Sequence, residues 1–252
     1  MTGKIVRLAR VFREDGRAVV VALDHAQFKG PLAGLTPIAR IVEEVVQGGA
    51  DAVILNPGVA AECATDLAGG CGLIVRVTGA STDRNPCFDY HRRICSVERA
   101  VRLGADAVIA MGFIGGEGEA ASLALLAATA EDCDRFGMPL VAEMLPADPE
   151  RFRDPEWIGV AARVGRELGA DVIKAYTTGE AADAEGIRGC GAPFLAAGGA
   201  ASDEARRIAA QAMDHGAAGV AFGRNVFGAA DRPGAVRELV EVVHGTTRAR
   251  RR

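Results

Sequence analysis

Lys174 closes the apolar run Gly169-Ala-Asp-Val-Ile-Lys-Ala-Tyr-Thr-Thr-Gly179, where a strand would more readily end on a residue that is easier to bury. An ammonium at the mouth of an apolar strand loses hydration, which favours the free amine that attacks a carbonyl. That is Schiff-base chemistry. A lysine there also serves simply to carry its charge out to water, so its neighbours must decide. A second apolar run, Ala18-Val-Val-Val-Ala-Leu-Asp24, ends on Asp24 and His25, and a third, Pro139-Leu-Val-Ala-Glu143, ends on Glu143. Two glycine-bearing segments follow later runs: Ala196-Ala-Gly-Gly-Ala-Ala-Ser-Asp203 and Ala221-Phe-Gly-Arg-Asn225. Backbone N–H groups around Gly198, Gly199 and Gly223, a helix cap at Ser202 and the charge of Arg224 suit a phosphate dianion.

These groups meet only if the elements bring one end of each strand together. The phrase Gly49-Ala-Asp-Ala-Val-Ile-Leu55 returns as Gly104-Ala-Asp-Ala-Val-Ile109, as Gly169-Ala-Asp-Val-Ile173 and loosely as Gly216-Ala-Ala-Gly-Val-Ala221. Each interval is long enough for two βα units. Between the phrases lie Gly72-Leu-Ile-Val-Arg-Val77, Pro139 to Glu143 and Pro193-Phe-Leu-Ala-Ala197, and with Ala18 to Asp24 the strands number about eight. Each is followed by a helix-like stretch, such as Pro37 to Gln47 after the Gly30-Pro31 break. The pattern predicts a single (β/α)8 barrel over residues 1–252, preceded by a short amphipathic helix within residues 2–14. An open doubly wound sheet is the alternative, but the first βα turn has no G-x-G-x-x-G fingerprint. In a barrel the site lies at the carboxyl ends of the strands, and the glycine segments close the last two units, where such folds hold phosphate. The set there reads Asp24 and His25, Asn56, Ser81, Glu143 or Leu145, Lys174, Gly198-Gly199 and Gly223-Arg224-Asn225.

The 252 residues are 49% hydrophobic with a net charge of -4, so nothing offers a basic face to nucleic acid. The one charge run, Arg248 to Arg252, is expected to be a frayed tail. No apolar run approaches the roughly 18 residues of a membrane span. Six cysteines (63, 71, 87, 95, 133 and 190) without paired spacing suggest neither a disulfide framework nor a zinc site, and reduced cytoplasm is the expected compartment. His91, His215 and His244 share no metal-ligand spacing and are expected at the surface; neither a metal nor a cofactor is expected. Cys87, Asp89 and Tyr90 follow the third strand without an assigned role.

The stretches Asp24-His25-Ala-Gln-Phe-Lys-Gly-Pro31, Gly169 to Lys174, Ala197-Gly-Gly199 and Gly219-Val-Ala-Phe-Gly-Arg-Asn-Val-Phe227 resemble the class I aldolase family that includes archaeal-type fructose-bisphosphate aldolase, of the DeoC/LacD-like group. Ser96-Val-Glu-Arg-Ala-Val-Arg-Leu-Gly-Ala-Asp106 and Phe136-Gly-Met-Pro139 extend the resemblance nearly end to end. It implies a barrel, a Schiff-base lysine at Lys174, an acidic partner at Asp24 and a phosphate site in the last two loops. Relatives include enzymes that form seven-carbon precursors and an autoinducer-2-phosphate thiolase. One departure stands out. The archaeal-type enzymes carry Tyr-Pro-Arg-Gly after strand five, and this chain has Leu145-Pro-Ala-Asp148. Strand alternation puts Glu143 on the face of position 145, where a buried carboxyl would have a raised pKa and could move protons, or else pair with Lys174 or Arg76.

The expectation is a metal-independent lyase that makes or breaks a carbon–carbon bond in a phosphorylated ketose-type substrate through a Lys174 Schiff base. Asp24 with His25 or Glu143 would move protons. A homo-oligomer is expected. The alternatives are a thiolase-type acyl transferase using coenzyme A and a non-catalytic sugar-phosphate-binding barrel. Arg224 is otherwise expected to pair with the helix bearing Asp203 and Glu204.

Overall fold

The computed structural model describes residues 2–199 and 204–245; the expected Ser202 cap and the tail at 248–252 lie outside the described residues. Eight parallel strands close on themselves: β1 (Ala18–Ala22), β2 (Ala52–Leu55), β3 (Gly72–Arg76), β4 (Ala107–Ile114), β5 (Leu140–Pro146), β6 (Val172–Ala175), β7 (Phe194–Ala197) and β8 (Gly219–Phe222). Strand β1 pairs with both β2 and β8, so the sheet has no edge. This is the (β/α)8 barrel anticipated from the repeats, and the open doubly wound sheet is excluded. The connecting helices α2 (Ile38–Gln47), α3 (Ala64–Leu67), α4 (Val97–Arg102), α5 (Glu119–Phe136), α6 (Pro155–Glu167), α7 (Asp183–Gly189), α8 (Ala205–Asp214) and α9 (Arg232–His244) surround it. The N-terminal helix α1 (Thr2–Val11) ends three residues short of the expected stretch.

Period-2 alternation sorts the strand residues into two cores. Val20, Ile54, Ile74, Ile109, Val141, Val172 and Leu195 fill the barrel, closed below by Leu8, Val11 and Phe12. Their neighbours Val19, Val53, Val75, Val108 and Ile173 pack outward against the helices.

The repeated Gly-Ala-Asp phrases build the lower rim. Their glycines, Gly49, Gly104, Gly169 and Gly216, all take positive φ, which lets each helix turn tightly into the next strand. Each aspartate then spends its two oxygens differently. Asp51 accepts from the Val19 N–H at 2.7 Å, Asp106 from Leu73 at 3.1 Å and Asp171 from Leu140 at 2.9 Å, satisfying a donor at the start of a neighbouring strand. The other oxygens receive Arg13, Arg10 and Lys4. The charge alternation at the N-terminus is therefore a row of pins that seats α1 over the barrel floor.

Strands β4 and β5 stay paired up to Ile114 and Pro146, which raises one wall of the mouth. After β3 the chain makes a small antiparallel hairpin, Thr78–Gly79 with Arg92–Arg93, before α4. The Asp89 carboxylate accepts the Gly118 N–H at 2.7 Å and the Tyr90 hydroxyl donates to Glu117 at 3.2 Å, which ties this loop to the one after β4. Among the described residues no helix is long and apolar enough to cross a membrane.

Candidate active site

At the carboxyl end of the barrel the inward positions change from apolar to charged. Lys174 on β6 and Glu143 on β5 are register partners, and the Lys174 Nζ donates to Glu143 Oε1. Arg76, the last residue of β3, donates through Nη2 to Glu143 Oε2 and through Nε to Asp24 Oδ2, just beyond β1. The four are almost wholly out of water: Asp24 is 2% exposed, Arg76 1%, Glu143 8% and Lys174 5%. Two cations and two carboxylates alternate as Lys174–Glu143–Arg76–Asp24, so the buried group carries no net charge. The Asn56 side chain fixes the strand end by donating to the Asp24 carbonyl at 2.8 Å.

The expected raised pKa for Glu143 is corrected here. Burial does oppose its charge, but Lys174 and Arg76 outweigh burial and hold the carboxyl well below the usual range. One cation about 4 Å away is worth roughly 4 kcal/mol at an effective dielectric near 20, so two of them exceed the several kcal/mol of desolvating one carboxylate. Glu143 is an anion at neutral pH and has no proton to give. Both ion-pair partners weighed from the sequence are made at once.

His25 borders this group, with Nδ1 3.6 Å from Asp24 Oδ1 and its ring edge-on to Phe227 at 5.3 Å. Burial pushes its imidazole below the ordinary range, further than Asp24 pulls it back. The ring is neutral at pH 7, and among the described residues Nδ1 has no hydrogen-bond partner. Gly223 is required here for space: a Cβ would lie 2.4 Å from the His25 ring and 2.7 Å from the Ala22 carbonyl. Arg224 opens the short turn Arg224–Phe227 and places its guanidinium beside the Tyr176 hydroxyl. Among the described residues Glu204 takes Arg207, and Asp203, the other expected partner of Arg224, lies outside the described residues. Gly198 and Gly199 follow β7 at the same corner, with Gly198 packed on Phe222 and Gly199 near Arg153 and Tyr176. Asp24, His25, Asn56, Glu143, Lys174, Gly198, Gly199, Gly223 and Arg224 thus lie at the carboxyl ends of the strands.

Leu145 sits over the site in an apolar wall with Phe28, Met111 and Phe113, packed by Phe88, Phe152 and Tyr176. His91, expected at the surface, is 1% exposed inside this wall, stacked on Phe28 at 5.5 Å and edge-on to Phe88 and Phe113. Neither ring nitrogen has a partner among the described residues, and burial with Arg76 nearby pushes the ring down to about 4. His244 is also corrected, since its nearly buried ring bridges Asp15 at 2.6 Å and Asp51 at 2.9 Å. His215 is mostly covered, 3.7 Å from Asp183.

The depressed His91 value has a consequence for stability. The unfolded chain binds this proton near pH 6.5 and the folded chain only near 4, so the neutral ring's contribution is whole above 6.5 and lost as pH falls through about 4. The window amounts to roughly 3 kcal/mol. Urea titrations from pH 7 to 4 should show that loss in the native chain and a flatter profile in His91→Phe; equal slopes would place the acid sensitivity elsewhere.

The family model for the DeoC/LacD family aldolases matches residues 18–229. The chain belongs to the DeoC/LacD aldolase family. Among curated DeoC/LacD-type relatives, the 2-amino-4,5-dihydroxy-6-oxo-7-(phosphonooxy)heptanoate synthase of Streptomyces griseus is 37% identical over 249 residues, covering 96% of this chain and 90% of its own. The 2-amino-3,7-dideoxy-D-threo-hept-6-ulosonate synthase 1 of Archaeoglobus fulgidus is also 37% identical, over 97% of this chain and 92% of its own. A structure of an archaeal fructose-1,6-bisphosphate aldolase, with its catalytic lysine bound to the carbinolamine intermediate, superposes with a TM-score of 0.87 at 28% identity, over 96% of this chain and all of the other. This DeoC/LacD aldolase is a carbon–carbon lyase by family.

Sequence reasoning undervalued Arg76 and missed Tyr176 and Arg153 as members of the mouth. Arg76 carried the same signal as Lys174, a cation ending an apolar strand. Tyr176 lies two residues past Lys174, on the same face by alternation. Arg153 had no local signal, because a loop fold brings it over Gly199.

Proposed function

We propose that this aldolase joins a three-carbon keto phosphate, held as a Schiff base on Lys174, to an aldehyde, and runs the reverse cleavage. The observation that carries the reading is the buried Lys174 amine facing the Glu143 carboxylate at the barrel mouth. Attack of the free amine on the ketone gives a carbinolamine, and loss of water gives an iminium. The iminium keeps a positive charge at Nζ, so the Glu143 anion that holds the ammonium also stabilises the intermediate. Arg76 keeps that anion ionised and aimed. A neutral imidazole can take the α-proton that turns iminium into enamine, and His25, with Asp24 beside it to stabilise the imidazolium, has that form. Arg224 and the backbone at Gly198, Gly199 and Gly223 suit the phosphate.

The relatives' names support a finer choice. A heptanoate with a phosphonooxy group at C7, a ketone at C6 and hydroxyls at C4 and C5 is an aldol whose new bond lies between C4 and C5. That disconnection gives dihydroxyacetone phosphate and a four-carbon amino-acid aldehyde, aspartate 4-semialdehyde. Incubating the chain with both and following a seven-carbon phosphate by mass spectrometry tests the reading. An acyl-CoA formed on addition of coenzyme A, with no aldol, would favour the thiolase alternative. Arg224→Ala should raise KM for dihydroxyacetone phosphate about tenfold or more, in line with loss of a charge-assisted bond, with little change for unphosphorylated dihydroxyacetone. Equal losses on both would make Arg224 a structural residue.

A further inference from the structure

We propose that Tyr176 is a further catalytic residue of this reaction, giving its phenolic proton to the acceptor aldehyde's oxygen as the carbon–carbon bond forms. The inference rests on the Lys174 reading above. Of the chain's two tyrosines, Tyr90 is bonded to Glu117 in an exposed loop. Tyr176 packs against the mouth wall that contains Leu145, with its ring stacked on Phe152 at 5.3 Å and 22°. A side chain on Gly199 would stand 3.7 Å from its ring and 3.2 Å from Arg153 Nη2, so ring, glycine loop and guanidinium share one corner. Arg224 lies beside the hydroxyl. Tyr176 therefore follows Lys174 by two residues, on the same face by alternation, and shares a corner with Gly199, Arg153 and Arg224, among the residues suited to phosphate.

The other candidates are committed elsewhere. Glu143 is ionised and held by Lys174 and Arg76, and Asp24 is held by Arg76. Leu145 carries no proton. His25 takes the α-proton of the donor, and burial, which lowers its pKa, favours passing that proton to water before the acceptor reacts. Burial, followed by the Glu143 charge, raises the Tyr176 hydroxyl above its ordinary value, so at neutral pH it is a phenol with a proton to give.

The enamine carbon attacks the aldehyde carbon, the new bond forms, and the carbonyl π electrons move to oxygen. That oxygen takes the Tyr176 proton, leaving an alcohol, an iminium on Lys174 and a phenolate beside Arg224 and Arg153. Water then adds to the iminium carbon, the ketone is released, and the surplus proton returns to the phenolate, restoring both the amine and the phenol; the α-proton that His25 took passes to water and replaces the one consumed when the carbinolamine was dehydrated. Two guanidinium groups are well placed to stabilise the transient phenolate.

Tyr176→Phe keeps the stacked ring and removes only the hydroxyl. With dihydroxyacetone phosphate alone in D2O, exchange of the donor's α-hydrogen reports Schiff base and enamine formation without an acceptor. With aspartate 4-semialdehyde added, product formation reports the bond. We expect aldol turnover in Tyr176→Phe to fall about 10²-fold or more, the scale of general acid catalysis, while exchange and borohydride trapping stay within a few-fold. Normal aldol turnover would overturn the assignment. So would a rise in KM for the keto phosphate with kcat unchanged, which would make Tyr176 part of phosphate binding, or a parallel loss of exchange and turnover. If the native chain neither exchanges nor traps the keto phosphate, the Schiff-base reading itself fails and takes this inference with it.

Discussion

Lys174→Met should lose all borohydride-dependent addition of dihydroxyacetone phosphate, and carbon–carbon bond formation should fall on the order of 10⁴-fold or more, the scale seen when a covalent nucleophile is removed. Intact-mass spectrometry after reduction reads the first effect, and product formation reads the second. The variant should still fold, because Glu143 keeps Arg76 as a partner and methionine fills a similar volume at this buried position. An adduct that survives in Lys174→Met would move the nucleophile to another residue. A folded variant with normal turnover would remove covalent catalysis altogether. Loss of the mass shift with circular dichroism unchanged is the result that separates chemistry from folding.

Arg76→Met should have the largest effect on stability. The guanidinium stands between Asp24 and Glu143 and lies over the Phe28 ring, 5.1 Å from its centroid. Methionine would leave one carboxylate buried without its cation and the other with Lys174 alone. Removing one member of a buried ion pair costs about 3–5 kcal/mol, mostly from the charge left behind. Lysine cannot restore the arrangement, since one ammonium cannot present a planar fork to two carboxylates. The pH dependence should move as well. Because the folded-state pKa of Glu143 is depressed, its contribution is present above the unfolded carboxylate value and lost only as pH falls through the lower folded one. Without Arg76 one of its two main cations is gone, so the folded value moves back toward the unfolded one, and the acid-driven loss becomes smaller and is complete at a higher pH. Chemical unfolding followed from pH 7 down to about pH 3 checks both statements. A change under about 1 kcal/mol, the scale of a solvent-exposed pair, would mean that the quartet is wetter than its burial implies.

The same quartet links stability to catalysis. A carboxylate that must remain charged to hold an iminium needs cations around it, and in a barrel mouth those cations come from strands distant in the chain. Arg76 and Glu143 are separated by 67 positions, and Glu143 and Lys174 by 31. Closure of the barrel brings them within hydrogen-bonding distance, so the stability of the sheet and the ionisation of the site are coupled.

What the sequence determined by itself is whatever depends on local pattern. Alternation of apolar residues set the strands and their inward faces, and the Gly-Ala-Asp phrases marked where helices turn into strands, because a positive φ and a short acceptor at the rim are local requirements. A lysine that ends an apolar strand was legible for the same reason, and parallel strands in a closed barrel place all such ends at one mouth. The tertiary structure decided everything that depends on neighbours brought from afar. Glu143 read in sequence either as a buried acid that would hold its proton or as an ion-pair partner of Lys174 or Arg76; two cations from β3 and β6 decide for the pair, since charge–charge energy falls with distance and only folding sets the distance. His91 looked like a loop residue, yet the hairpin after β3 turns it into an aromatic wall. Tyr176 and Arg153 became visible as a pair only when the loops after β5, β6 and β7 met, because their proximity is a property of three loop ends in space and leaves no periodic trace along the chain.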